Sequence, residues 1–535
     1  MPTATLFNYS FQLTQPNPDA HVPPTIRKLV IVGGGSAGWM AAMMLADALL
    51  PKGIEIEVLE SPVVGIIGVG EGSTPWLRGF FDKLGIEEAE WMPACHATYK
   101  CGITFDKWST KPGFESYFHP FASMLDNLTM TQFVHNVNAR VQGADVHAHP
   151  NRFFIAAKLA EQDMAPKPEA NFPFDVWYGY HFDAVLLGQF LQKKALARGV
   201  KYRSCHVKEV RLGENGDIAS VVIDSGETVA ADFFVDCTGF AALMIQQALK
   251  TPFVSFSNNL FNDAAVAMPT PIGDDIPSQT VSTAMKNGWA WKIPLTERFG
   301  NGYVYSSAFC SADEAERELR AHLGLLDSDT PARHLKMKIG RVTKHWNRNC
   351  LAVGLSQGFI EPLEATALLF IQHTVSTFVE FLEAGDVSEP ARDRYNQRVN
   401  EHFEGTRDYI VTHFKTNNRT DTDYWRANAS NGNLSEPLQE LFRTWLSGRS
   451  IVADVTQQKL GKGYPVFSWY CILSGMGIFP ESDQMRPPTP KEARYKMTEI
   501  DNLLARSALN FRKQKDVLAQ IPPKRREDAL QIYFW

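Results

Sequence analysis

The alternation of apolar and polar positions divides the chain into regular stretches separated by glycine- and proline-rich joints. Lys28 to Val32 is a short β-branched run of the kind that forms a buried parallel strand. It meets Gly33-Gly34-Gly35-Ser36-Ala37-Gly38 and then an unbroken run of helix formers to Leu50, so the pattern predicts strand, glycine turn, helix. Ile54 to Glu60 (IEIEVLE) reads as the next strand. The clustered Gly65, Gly68, Gly70 and Gly72 then announce an irregular loop, with a helix beginning near Ser73 or Thr74 and Pro75 in its first turn. Val63, Ile66, Ile67 and Val69 are too apolar for a solvent loop and are expected to pack against something flat and partly apolar.

From Glu87 to about Phe174 the sequence is dense in aromatics and prolines without a long period, as expected of inserted structure that supplies a pocket. Ala184 to Arg198 is an amphipathic helix; strands follow, with turns at Gly213 to Gly216 and Ser225 to Gly226, and the last, ADFFVDCTGF, ends in Cys237-Thr238-Gly239. Residues 251 to 350 read as a second, mostly β layer, and Cys350 to Ser356 as another buried strand whose end points at a ligand. A loop from Gln357 leads into a long apolar helix closed by Gly385, and beyond Arg392 the chain is helical in character, with breaks around 461 to 465 and 487 to 490.

Composition narrows the function classes. A chain of 535 residues exceeds one ordinary domain. The net charge of -6, with Lys and Arg spread along the chain, argues against nucleic acid or an anionic membrane as partner. Seven cysteines, an odd number without CxxC pairing, suggest neither a disulfide framework nor a zinc cluster, so no metal is expected and a reducing cytoplasm fits. The first 26 residues, lacking a basic start and an apolar core, read as a loose tail rather than a secretory signal, and no stretch is long and apolar enough to span a bilayer.

The glycine turn carries the first chemistry. Gly33 permits the tight turn, Gly35 lets the backbone approach a pyrophosphate, and Gly38 allows close helix–strand packing, while the helix N-terminus, with Gly34, Ser36 and Ala37, offers N–H groups to phosphates. Glu60, ending the second strand, stands where a ribose hydroxyl needs an acceptor. The unit is a dinucleotide site.

Four motifs in register resemble the flavin-dependent halogenases, the tryptophan halogenase group in particular: GGGSAGW at the turn, GVGEGSTP at 68 to 75, the WxWxIP signature at Trp289, Trp291 and Pro294, and FIEPLEATA at 359 to 367. The likeness runs from about residue 27 to beyond 480. It implies an α/β chain with an FAD-binding, Rossmann-like flavoprotein monooxygenase fold and an added, mostly helical substrate domain. The expected division is a tail at 1–26, an FAD-binding region at 27–390 holding the insert (about 87–174) and β layer (about 251–350), and a helical covering region at 391–535.

The resemblance also implies site residues. Lys100, in HATYKCGITF, stands at the position of the family's essential lysine, and its neighbours Cys101, Ile103 and Phe105 suggest burial, which lowers a lysine's pKa. Glu364 is its acid–base partner, and Thr366 with Ala367 the halide site at a helix start. Gly70, Glu71 and Leu368 join the cofactor wall, and the tryptophan motif lies near the flavin, keeping organic substrate away from it. His119 and Phe121 correspond to residues that stack on an indole. Ala365 and Ala367 stand where tryptophan halogenases commonly carry Ser and Gly. In place of their Tyr-rich lid this chain has IVADVTQQKLGKGYPVFSWYC, where Tyr464, Phe467, Trp469 and Tyr470 can wall an aromatic pocket without an obvious acidic partner for an amino acid. An indole or other electron-rich aromatic is therefore at least as good a substrate expectation as free tryptophan.

The implied reaction uses FAD, as FADH2 from a separate flavin reductase, and a halide to form hypohalous acid that reaches Lys100 and halogenates a small aromatic substrate; a homodimer is an open alternative to a monomer. Two competing classes are a flavoprotein aromatic hydroxylase of related fold, which would need no halide, and a non-catalytic flavin-binding protein, which would leave Lys100, Glu364 and the double-tryptophan motif unexplained.

Overall fold

The computed structural model describes residues 26–65, 70–169, 171–457, 460 and 463–521. Residues 1–25 of the expected tail, and Ile66, Ile67 and Val69 of the glycine loop, lie outside the described residues.

A six-stranded sheet carries the glycine turn, in the order Trp346–Asn347, Cys350–Ala352, Phe233–Asp236, Lys28–Val32, Glu55–Glu60, Lys201–Ser204. All neighbours pair in parallel except the short Trp346–Asn347 edge. The apolar runs seen in the sequence are what a parallel sheet buried on both faces requires: Leu29, Val30, Ile31, Phe234 and Val235 are fully buried. The helix Ser36–Leu49 leaves the glycine turn, and the helix Ala367–Glu383 packs its Phe378 against Phe233 and Trp346 at ring separations of 4.9 Å. The predicted strand at Cys350–Ser356 is shorter than expected: Gly354, at φ +72°, turns the chain into a 3-10 segment, Gly354–Ser356. The helix after the glycine loop is Trp76–Lys83, with Pro75 just outside its first turn rather than within it.

A seven-stranded sheet forms the second layer, ordered Arg333–Lys336, Ala264–Pro271, Arg298–Tyr305, Gly288–Pro294, Thr280–Ala284, Gly102–Asp106, Ser116–Pro120. Its last two strands come from the aromatic-rich segment, joined through the parallel pairing of Ile103 with Thr280. That segment therefore completes the second sheet as well as supplying side chains. A third, three-stranded sheet sets Gly179–Phe182 between Glu71–Gly72 and Thr98–Lys100.

Beyond the sheets the described chain is helical, led by the 27-residue helix Glu389–Lys415, with Val466–Gly475 lying against the strand Ser116–Pro120, where Gly475 makes room for the Tyr117 ring. All seven cysteines are free thiols. Among the described residues no helix is long and apolar enough to cross a membrane, and no cluster of His, Cys, Asp or Glu could hold a metal ion.

Candidate active site

The glycine turn is built so that only glycine fits at two of its positions. Gly33 sits at φ +112°, and a Cβ there would fall 2.2 Å from the Cys237 carbonyl oxygen, while a Cβ on Gly38 would fall 1.9 Å from the Gly33 oxygen. Gly34 is closed off by Glu60, whose Cδ would lie 2.2 Å from an added Cβ. Gly35 faces open space and precedes the helix, leaving its backbone accessible to a ligand.

From this turn a cavity of about 860 Å³ passes Glu60, Gly70, Glu71 and Leu368 and reaches Trp289, Trp291 and Lys100. The residues fit a flavin dinucleotide: an open glycine at a helix N-terminus, Glu60 beside it, and the Trp291 indole N–H, buried without a partner among the described residues. The Trp291 ring lies where Gly302 carries no side chain; a Cβ there would come within 2.1 Å of it. Burial, and secondarily the Asp183 charge, push the Glu71 carboxyl up to about 7. Val63 and Val64 of the glycine loop are exposed, and Val64 and Gly65 line the cavity.

Lys100 lines the same cavity. Strand alternation places Gly72, Thr98, Lys100, Gly179 and His181 on one face of the three-stranded sheet, with Tyr99 and Tyr180 on the other. Lys100 is fully buried, and its Nζ has no hydrogen-bond partner among the described residues; it lies 5.5 Å from the centre of the Phe121 ring. An added Cβ on Gly72 would sit 3.1 Å from Nζ, so that glycine keeps the space in front of the amine clear. Burial outweighs the opposing charge of Glu364 and lowers the Lys100 ammonium to about 7.

Glu364 ends the 3-10 turn Pro362–Glu364, and Ala365 takes the left-handed conformation after it, at φ +56°. Both carboxylate oxygens are taken: His119 Nδ1 donates to Oε2 at 3.2 Å and His413 Nε2 donates to Oε1 at 3.0 Å. A carboxylate only accepts, so His413 Nε2 must carry a hydrogen; burial lowers the His413 pKa, and its Nδ1 then accepts from the Tyr117 hydroxyl at 3.1 Å. Burial alone would raise Glu364, but His119 and His413 hold it down at about 2. The second glutamate of the motif is thus a fixed negative charge.

The first is different. Glu361 is fully buried, its Oε2 accepts from Trp289 Nε1 and Asn262 Nδ2, each at 2.8 Å, and its Oε1 has no partner among the described residues. Burial pushes it up to about 7 against those two donors. Tyr424 of the helical region donates to Asn262 Oδ1 at 2.9 Å, so one polar chain joins the tryptophan motif, the EPLE turn and the helices.

Thr366 is buried at the start of the helix Ala367–Glu383, and Ala367 lines the cavity at its first turn, where N–H groups lack intrahelical acceptors. The expected aromatic-pocket residues do not line the large cavity. His119 and Phe121 flank Glu364 and Lys100, and the Phe467 ring lies 6.3 Å from that of His119. Tyr464 stacks on Tyr409 at 3.6 Å, and Trp469, fully buried, meets Tyr409 edge-on at 5.0 Å.

Sequence reading missed His413, Tyr409, His181, Thr280, the anchoring role of Glu361, and Ser468, whose hydroxyl lies 3.0 Å from His119 Nε2. His413 had a signal: a lone imidazole in the apolar helical run YIVTHF needs a buried partner.

This is the FAD-binding, Rossmann-like fold of the flavoprotein monooxygenases with a helical region added. The chain belongs to the tryptophan halogenase family, whose model matches residues 28–488. It is 37% identical over 478 residues to tryptophan 6-halogenase SttH of Streptomyces toxytricini, covering 84% of this chain and 89% of that protein. It is 34% identical over 507 residues to tryptophan 7-halogenase RebH of Lentzea aerocolonigenes, covering 89% and 94%. The solved structure of BrvH, a flavin-dependent halogenase from Brevundimonas sp. BAL3, superposes with a TM-score of 0.79 at 30% identity, covering 93% of this chain and 99% of that one. The protein is a flavin-dependent halogenase.

Proposed function

We propose that this enzyme halogenates an electron-rich aromatic substrate, an indole or a tryptophan-like compound, at a site formed by Lys100 and Glu364 and separate from the flavin. The observation that carries the reading is the placement of Lys100: a fully buried amine, without a hydrogen-bond partner among the described residues, lining the same cavity as the glycine turn. Gly33 to Gly38, Glu60, Gly70, Glu71 and Leu368 would hold FAD, received as FADH2 from a separate reductase, and Thr366 with Ala367 would hold the halide at the helix N-terminus. The reduced flavin, with oxygen and halide, supplies hypohalous acid.

Lys100, with its ammonium lowered to about 7, presents a large neutral fraction near neutral pH and can hold the electrophilic halogen. The side chains between Lys100 and the helical region are aromatic, with His119, Phe121 and Phe467 offering faces to a flat ring. Glu364, held at about 2, is a weak base and a strong fixed charge, so its role is to stabilise the ring cation formed when halogen adds to carbon, before the ring proton leaves.

The test is to supply FAD, a flavin reductase, bromide or chloride and a panel of indoles, tryptophan and phenols, with mass-spectrometric detection. Halogenated product that depends on halide and disappears in Lys100→Ala, while flavin consumption continues, is the expected result. Product without halide, oxygenated rather than halogenated, would instead assign a hydroxylase, and halogenation retained in Lys100→Ala would remove that residue from the mechanism.

A further inference from the structure

From the proline of the tryptophan motif a chain of hydrogen bonds runs through Thr98 and His181 to Thr280, which shares a cavity lining with Lys100. Thr98 Oγ1 donates to the Pro294 carbonyl at 2.8 Å, His181 Nδ1 lies 3.1 Å from the same Thr98 oxygen, and His181 Nε2 lies 2.9 Å from Thr280 Oγ1. Thr98 has a single hydroxyl proton and spends it on Pro294, so the His181–Thr98 contact requires an N–H on Nδ1. His181 is fully buried, its two ring nitrogens touch only hydroxyls, and Lys100 is the charged neighbour acting on it. Nothing there compensates an imidazolium, and burial together with Lys100 holds the ring well below its ordinary pKa. A neutral ring with its hydrogen on Nδ1 has an acceptor at Nε2, and among the described residues the hydrogen placed for it is that of the Thr280 hydroxyl.

Thr280 and Lys100 both line the cavity, and Lys100 Nζ and Thr280 Oγ1 lie 3.1 and 3.6 Å from the point where a Gly72 Cβ would stand. We propose that His181 and Thr280 are positioning residues for Lys100: His181 draws the Thr280 proton away from the cavity, so that Thr280 presents lone pairs, and no hydrogen, to the lysine end of it. Thr280 and Lys100 are not hydrogen-bonded in this structure; when the amine turns toward it, an oxygen that can only accept would take one N–H and leave the nitrogen lone pair free. A hydroxyl free to rotate would donate into that lone pair and mask it from an electrophile. The motif's proline carbonyl, through Thr98, sets which way this relay points. The inference rests on the reading of Lys100 as the halogen-holding residue.

The test uses the whole enzyme with FAD, a flavin reductase, bromide and indole, and measures brominated product per flavin oxidised. Thr280→Val and His181→Phe are expected to lower this ratio by at least about ten-fold, the scale of one lost hydrogen bond at a reacting group, with flavin oxidation continuing. Thr280→Ser, which keeps the hydroxyl, is expected to restore it. Lys100→Ala separates the two readings. If Lys100→Ala abolishes bromination while folded Thr280→Val matches the wild type, the positioning proposal falls and the lysine site stands. If Lys100→Ala itself retains bromination, the site reading falls first. Should His181→Phe fail to fold, the Thr280→Val and Thr280→Ser pair decides. Histidine-labelled protein gives an independent readout: nitrogen NMR at neutral pH is expected to show His181 as the Nδ1–H tautomer, and an Nε2–H tautomer or an imidazolium would overturn the proposal.

Discussion

The indole N–H of Trp289 donates to the buried Oε2 of Glu361 at 2.8 Å. The first tryptophan of the signature is therefore anchored to the first glutamate of the EPLE turn, and the wall of the cofactor cavity is tied to the loop that carries Glu364. Replacing Glu361 by Leu would strand the N–H groups of Trp289 and Asn262 in the interior, at about 1–3 kcal/mol for each unsatisfied group. Glu361→Gln keeps an accepting oxygen and is expected to fall between Glu361→Leu and the wild type. Thermal unfolding of the two variants measures the difference; equal loss in both would show that the acceptor is not what matters.

Lys100 should cost stability. Its folded value of about 7 lies below the 10.5 of an exposed lysine, so the unfolded chain binds the proton more tightly. The penalty is full below pH 7 and is relieved as the pH rises toward 10.5. Lys100→Met is expected to raise the melting temperature at neutral pH, with the gain shrinking as the pH rises through that window, and to halogenate nothing. Melting curves across pH 6 to 10 test the sign; a variant less stable than the wild type at pH 7 would contradict it.

Glu364 has the opposite sign. Its folded carboxyl is held at about 2, below the ordinary 4.5, so the stability it contributes is present above pH 4.5 and is lost as the pH falls toward 2. Glu364→Gln turns an amide N–H toward one of the two imidazole donors, and the variant should melt lower at pH 7 with the deficit narrowing in acid. A deficit independent of pH would assign the loss to packing instead.

Gly72 has backbone angles that alanine can adopt, and the nearest atom to an added methyl group is the terminal nitrogen of Lys100 at 3.1 Å. Gly72→Ala is expected to fold with nearly wild-type stability and to bind FAD while yielding less halogenated product per flavin oxidised. The ratio of product to flavin consumed is the measurement; an unchanged ratio would show that the lysine end tolerates the methyl group.

Short-range physics explains what could be read along the chain. The strand Lys28–Val32, the glycine turn, the helix Ser36–Leu49 and the strand ending at Glu60 obey periodicities of two and 3.6 residues and the conformational demands of glycine, all local in sequence. The motifs likewise marked Lys100, Glu364, Trp289 and Trp291 individually, because each sits in a recognisable string. What surrounds them was not legible. His119 reaches Glu364 across 245 residues and His413 across 49, and the imidazole that orients Thr280 lies 99 residues from it. No local pattern encodes a partner that far away.

By itself the sequence determined an α/β chain with a strand, glycine turn and helix at its start and the family motifs, and the resemblance those motifs carry singled out Lys100 and Glu364 as candidates. Only the tertiary structure decided their electrostatic states. Among the described residues the buried lysine amine has no hydrogen-bond partner, Glu364 has both oxygens filled by histidines, and Glu361, three positions earlier, has one oxygen without a partner. The reason is physical: a pKa depends on which dipoles and charges a fold brings within a few ångströms and on how much water it excludes, and neither quantity is a property of a residue's neighbours in sequence.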